Sequence, residues 1–60
     1  MTKEQIELLL NLAARKLAYC LNTVALYSAI PKKNHLVPAW EAKVKVWKDL
    51  IDELEKMLYE

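Results

Sequence analysis

The sequence contains no glycine and no phenylalanine, and it has one cysteine, one histidine and two prolines. Without glycine, the loops that cradle phosphates and the glycine-rich fingerprint of dinucleotide-binding proteins are excluded. Cys20 cannot form an internal disulfide, and Cys20 with His35 is a poor ligand set for a structural metal. We therefore expect no cofactor and no metal site, and a free, buried Cys20 favours a reducing compartment, the cytoplasm.

Catalytic residues are also scarce. A Cys-His pair needs contact and an exposed thiol, but Cys20 falls on an apolar helix face and His35 in a connector. The acidic residues Asp49, Asp52, Glu53 and Glu55 are accompanied by no histidine, so a solvated face explains them better than a metal cluster. We therefore expect a protein that is not an enzyme. The first ten residues carry Lys3, Glu4 and Glu7, which argues against a signal peptide there.

Sixty residues make one small domain. A chain of this length buries only about 60% of its unfolded surface, so a single copy is marginally stable. Proteins of this size are usually reinforced by disulfides, a metal or a second copy. Because the first two are unavailable and 55% of the residues are hydrophobic, the sequence predicts self-association.

The first half of the chain predicts a long amphipathic helix over residues 3–29. Thr2 is a good N-cap, Gln5 completes a capping box, and Pro31 ends the helix. Apolar residues recur at alternating steps of four and three, the heptad period of a helix facing another helix. This seam consists of Ile6, Leu10, Ala13, Leu17, Cys20, Val24 and Tyr27.

The second half predicts another helix over residues 38–58, after a connector at 30–37. Pro38 suits its first turn, whereas Leu36 and Val37 are poor caps. Four ion pairs at i,i+4 are expected on its charged face, beginning with Glu41–Lys45. The seam of this helix consists of Trp40, Val44, Trp47, Ile51, Leu54 and Leu58.

Two helices joined by so short a connector should lie antiparallel. The predicted fold class is therefore an all-α antiparallel helical hairpin that dimerises into a four-helix bundle. Small residues beside the seam of the first helix would let two copies approach closely. The expected dimer interface consists of Leu10, Ala14, Leu17, Ala18, Leu21 and Ala25.

Charge is distributed unevenly although the net charge is only +1. Residues 31–48 hold five lysines against one acid, and residues 49–60 hold five acids against one lysine. This order opposes the dipole of the second helix. It would favour an antiparallel dimer, in which the basic end of one hairpin meets the acidic end of the other; an accidental polarity on a solvated face is an equal alternative.

The excess apolar surface without catalytic groups predicts a small interaction protein: an adaptor, a regulator or an inhibitor of a larger protein. Tryptophan is enriched in interface hot spots, so a partially exposed Trp40 near the connector is a candidate anchor, although a core position is also possible. Tyr19 lies off the seam and could mark a second contact surface. The expected partner-binding residues are Lys32, Lys33, His35, Trp40 and Tyr19.

Two other functions remain open. The lysines near the connector could bind RNA or DNA phosphates, but only one arginine, Arg15, is present and the acidic half would repel the backbone. The chain could also be a subunit that completes a larger helical assembly, even at a membrane surface. A membrane span is not expected, because the uncharged stretch 17–30 reaches only roughly 21 Å of the roughly 30 Å hydrocarbon core.

Overall fold

The computed structural model describes all residues from Met1 to Glu60. It is an all-α antiparallel hairpin of two helices, α1 (Lys3–Ala29) and α2 (Val37–Tyr59), and it contains no strand. A short 3₁₀ turn, Asn34–Leu36, leads directly into α2. The predicted hairpin is therefore confirmed.

The start of α1 is fixed by the capping box. The Gln5 backbone N–H donates to Thr2 Oγ1 at 3.2 Å, and the Thr2 backbone N–H donates to Gln5 Oε1 at 2.8 Å. Two of the backbone donors that a helix start leaves unpaired are thus satisfied. The helix ends before Pro31, where Ile30 takes an extended conformation because proline disfavours the helical region for the residue before it.

The start of α2 is built differently. Leu36 precedes the helix with φ −86° and ψ −13° and supplies no side-chain cap. The 3₁₀ turn brings the backbone into helical geometry by itself, so α2 begins at Val37, one residue earlier than the proline position had suggested. Pro38 occupies the first turn, where its missing N–H leaves no hydrogen bond unmade.

Both predicted seams lie between the helices. Every residue of the two heptad series is buried or half-buried. Ala13 is only 1% exposed and Leu54 only 4% exposed, and the small side chain of Ala13 lets α2 approach α1 closely. The hydroxyl of Thr23 is also buried, and it donates to the Tyr19 carbonyl at 2.9 Å.

The hairpin is long and thin, and most of its apolar surface stays exposed. It measures 44 × 14 × 13 Å with a radius of gyration of 13.9 Å, whereas a compact domain of this length would have about 10 Å. Its accessible surface is 4739 Å², against about 4,000 Å² for a compact monomer of this mass. Only four hydrophobic residues are fully buried: Ile6, Ala13, Cys20 and Leu54.

Candidate interaction surfaces

An aromatic and cationic cluster joins the two helices near the connector. The Trp40 ring meets the edges or faces of two tyrosines, with centroids 5.9 Å from Tyr19 and 6.1 Å from Tyr27. The ammonium group of Lys43 lies 4.2 Å from the centre of the Trp40 ring, and that of Lys33 lies 5.1 Å from the centre of Tyr27. These are the distances of favourable aromatic and cation–π contacts. We call these five residues the loop-end cluster.

The structure brings together three of the five predicted partner-binding residues. Tyr19 and Trp40 touch directly, and Lys33 joins them through Tyr27. Lys32 and His35 are exposed in the connector outside this cluster. Trp40 is half-buried, which places it between the two alternatives of core residue and exposed anchor.

Sequence reasoning did not include Tyr27 and Lys43 in this group. Tyr27 was assigned to the seam alone, yet its ring contacts both the Trp40 ring and the Lys33 ammonium group. One signal could have found the cluster. In an antiparallel hairpin, the last turn of the first helix and the first turn of the second lie side by side, so Tyr27 and Trp40, one on each seam, could be expected near each other.

A second surface is a continuous apolar face on one side of the hairpin. On α1 it includes Leu8, which is 68% exposed, and on α2 it includes Val46, which is 64% exposed. All of its members are exposed, and each helix repeats them at heptad spacing. The apolar face consists of Leu8, Leu12, Tyr19 and Leu26 on α1 and of Val46, Leu50 and Met57 on α2.

Two contacts show that both stripes lie on the same side. Tyr19 belongs to the α1 stripe, and its ring crosses to Trp40 on α2. The ammonium group of Lys43, also on α2, lies over the Trp40 ring. Val46 and Leu50 lie three and seven residues after Lys43, so they lie on the same side of α2. The apolar face is therefore one surface made by both helices.

The opposite side of the hairpin carries a shallow groove. Leu21 and Val24 of α1 and Val44 of α2 form its apolar floor. Its walls are charged side chains of α2, in which acids and lysines alternate. They are Glu41, Lys45, Lys48, Asp49 and Asp52.

The residues expected to form the dimer interface differ in their exposure in the structure. Leu10 and Leu17 are half-buried in the chain's own hairpin. The other four are exposed, with Leu21 on the groove side. We call these four, Ala14, Ala18, Leu21 and Ala25, the alanine flank.

The charged face of α2 differs from the expectation. None of the four i,i+4 ion pairs is formed; the ion pair present joins Lys56 to Glu53 at i,i+3, with 3.8 Å between Lys56 Nζ and Glu53 Oε1. Both side chains are about 70% exposed. Such pairs compete with solvation by water and with side-chain entropy, so spacing alone does not decide which forms.

The chemically reactive groups lie apart from one another. Cys20 is buried in the seam, and it precedes the end of α1 by nine residues, roughly 13 Å along the helix, whereas His35 lies beyond that end in the 3₁₀ turn. No three His, Cys, Asp or Glu side chains form a group that could hold a metal ion. Neither helix is apolar over a long enough stretch to cross a membrane.

The class of protein defined by these observations is an all-α helical hairpin with two exposed faces of different chemistry. Comparisons with family models, with curated proteins and with solved structures found no match.

Proposed function

We propose that the chain is a small non-enzymatic interaction module that self-associates as a helical homo-oligomer and binds a larger protein through its loop end. The observation that carries the proposal is the exposed apolar surface. Twelve large hydrophobic side chains are exposed, whereas four hydrophobic residues are fully buried. Contiguous apolar patches of this kind on small proteins mark interaction sites.

The loop-end cluster supports a second contact surface, which overlaps the apolar face at Tyr19 and adjoins it at Lys43. Its rings are held in place by one another, so little side-chain entropy is lost when a partner covers them. Lys32 and His35 add exposed polar groups in the adjoining connector, and an apolar centre with polar groups beside it is typical of a protein interface. The cationic rim favours a partner that is acidic at this point. The reduced, buried Cys20 is consistent with a cytoplasmic location.

The test is capture of partners from native lysate by the immobilised chain, compared between two variants. The double variant Lys32→Glu/Lys33→Glu reverses the charge of the connector. The double variant Lys45→Glu/Lys48→Glu makes the same charge change in the groove and serves as the control. A partner captured by the wild type and by the control but lost from the connector variant supports the proposal. Equal capture by both variants contradicts the loop-end assignment.

One observation favours nucleic acid as a second candidate partner. Lysines adjoin aromatic rings at Lys33–Tyr27 and Lys43–Trp40, the combination used by proteins that stack and neutralise single strands. Binding of a labelled single-stranded RNA, followed by fluorescence anisotropy, would weaken steeply with salt if the lysines contact phosphates. An apolar protein interface would show little salt dependence, so the same titration separates the two candidates.

A further inference from the structure

The residue types along the α2 part of the apolar face would match a second copy of the same helix. On α2, six residues continue the heptad spacing along this face: Ala39, Lys43, Val46, Leu50, Glu53 and Met57. This series can be read in either direction about Lys48. When a second α2 lies antiparallel across the first, Val46 meets Leu50, Lys43 meets Glu53, and the small Ala39 meets the large Met57. Each contact occurs twice, as a two-fold axis requires.

We propose that a second copy of this chain docks on the apolar face, with the two-fold axis crossing the hairpin at the level of Lys48 and Leu17. The inference rests on the self-association in the proposed function. It adds which face of the hairpin the second copy covers, the antiparallel direction of its helices and the residue level of the two-fold axis. In this arrangement α1 lies antiparallel to α1 of the partner, and α2 lies antiparallel to α2 of the partner.

The α1 stripe follows this symmetry in part. Leu8 and Leu26 are equidistant from Leu17 and would meet, whereas Leu12 would face Asn22 of the second copy and Tyr19 would face its Arg15. Leu17 lies twelve residues before the end of α1 at Ala29, and Lys48 lies eleven residues after the start of α2 at Val37. Both centres are thus roughly 17 Å from the connector, so one axis crosses both.

The size of the face fits a dimer. One side of the hairpin measures 44 by 14 Å, which is a flat area of about 600 Å². Because protruding side chains add surface to this flat area, it approaches the roughly 800 Å² that each partner buries in a standard interface. The chain also exposes roughly 700 Å² more than a compact monomer of its mass. A second copy would cover an area of this order.

Charge selects the direction. The basic residues 31–48 lie at the connector end of α2, and the acidic residues 49–60 lie at its other end. The antiparallel dimer places each basic end at the level of the partner's acidic end, whereas a parallel dimer would bring the two lysine-rich ends together. Lys45, Lys48, Asp49 and Asp52 line the groove on the opposite side, so they act across the dimer only at longer range. Lys43 and Glu53 repeat this complementarity within the apolar face, where charge pairs contribute more to specificity than to stability.

Lys16 lies one residue from Leu17, the level of the axis, and between Leu12 and Tyr19 on α1. Two copies would bring their Lys16 side chains close together, with the stems over the apolar face and the ammonium groups turned outward. Replacing Lys16 with leucine removes this repulsion, and we expect the dimer to become at least tenfold tighter.

Sedimentation equilibrium over a range of concentrations tests the face. We expect the wild type to dimerise and Leu12→Glu/Leu50→Glu to raise the dissociation constant at least a hundredfold. The matched control, Ala18→Glu/Leu21→Glu on the alanine flank, should change it less than threefold. Circular dichroism checks that both variants stay helical. Loss of the dimer in the control alone would assign the interface to the alanine flank and overturn the proposal.

A charge exchange tests the direction. Lys43→Glu should weaken the dimer, because at each of the two equivalent contacts a glutamate then faces Glu53 of the other copy. Lys43→Glu/Glu53→Lys should restore it to within threefold. If the double variant does not restore dimerisation while Leu12→Glu/Leu50→Glu still abolishes it, the antiparallel register alone is overturned. A wild type that remains monomeric throughout would overturn self-association itself, whereas capture through the loop end is measured separately.

Discussion

The seam between the helices and the apolar face have the same heptad spacing and opposite environments. Ala13 and Leu54 of the seam are almost fully buried, whereas Leu8 and Val46 of the apolar face are more than half exposed. Spacing therefore identifies which residues share one side of a helix, but not whether the chain itself covers that side. A two-helix hairpin can cover only one side of each helix, and the remaining apolar stripe is left for another molecule.

The largest effect is expected from the seam. Leu54→Ala should destabilise the fold by about 2–5 kcal/mol, because it leaves a cavity at a position that the hairpin itself encloses. Leu50→Ala, on the apolar face, should destabilise the single hairpin less, because Leu50 is 40% exposed, and its loss should grow as the dimer is populated. Urea unfolding at several protein concentrations separates the two. The comparison fails if both losses depend equally on concentration.

Trp40 links the seam to the loop-end cluster. Trp40→Leu should destabilise the fold by about 1–3 kcal/mol, because it removes two edge-to-face contacts of about 0.5–1.5 kcal/mol each. Denaturant unfolding gives the loss, and near-ultraviolet circular dichroism reports the environment of Tyr19 and Tyr27. An unchanged tyrosine signal would show that the cluster does not hold these rings.

The two helix starts provide a smaller contrast. Thr2→Ala should cost about 1 kcal/mol, because it removes the hydroxyl that accepts from Gln5. Leu36→Ser should change stability by less than about 0.5 kcal/mol, since Leu36 already has helical dihedral angles and a serine there lacks the extended backbone of an N-cap. Thermal unfolding of both variants measures this; a gain from the serine near 1 kcal/mol would contradict it.

The smallest effect is expected on the solvated face. Lys56→Ala removes the Glu53–Lys56 pair, and the free energy of unfolding should fall by less than about 0.5 kcal/mol. The loss should diminish further as salt is raised. A loss above 1 kcal/mol that resists salt would show that Lys56 is covered in the associated state.

Most of the fold could be predicted because its determinants are local. Thr2 and Gln5 are three residues apart, Pro31 acts on its neighbour Ile30, and a helical seam repeats within each turn. The position of Thr23 could not be predicted in this way. The Thr23 hydroxyl donates to the Tyr19 carbonyl within α1, so the buried side chain keeps its hydrogen bond.

The candidate surfaces were less predictable because they depend on residues far apart in the chain. The chance of a contact at Trp40 could be inferred from its place near the connector. Its actual neighbours, Tyr19 and Tyr27, depend on the relative rotation of two helices. The expected use of Leu10 and Leu17 as dimer contacts did not allow for their half-burial inside the hairpin.

The sequence alone determined two capped or proline-bounded helices, their facing seams and the uneven charge of α2, because short-range sterics, hydrogen bonds and heptad spacing act within a few residues. Only the tertiary structure decided that the stripes containing Leu12 and Leu50 form one apolar face. It also decided that Leu21 lies on the opposite side, in the floor of the groove with charged walls. The reason is that the hand and rotation of antiparallel packing determine which side of one helix continues onto which side of the other.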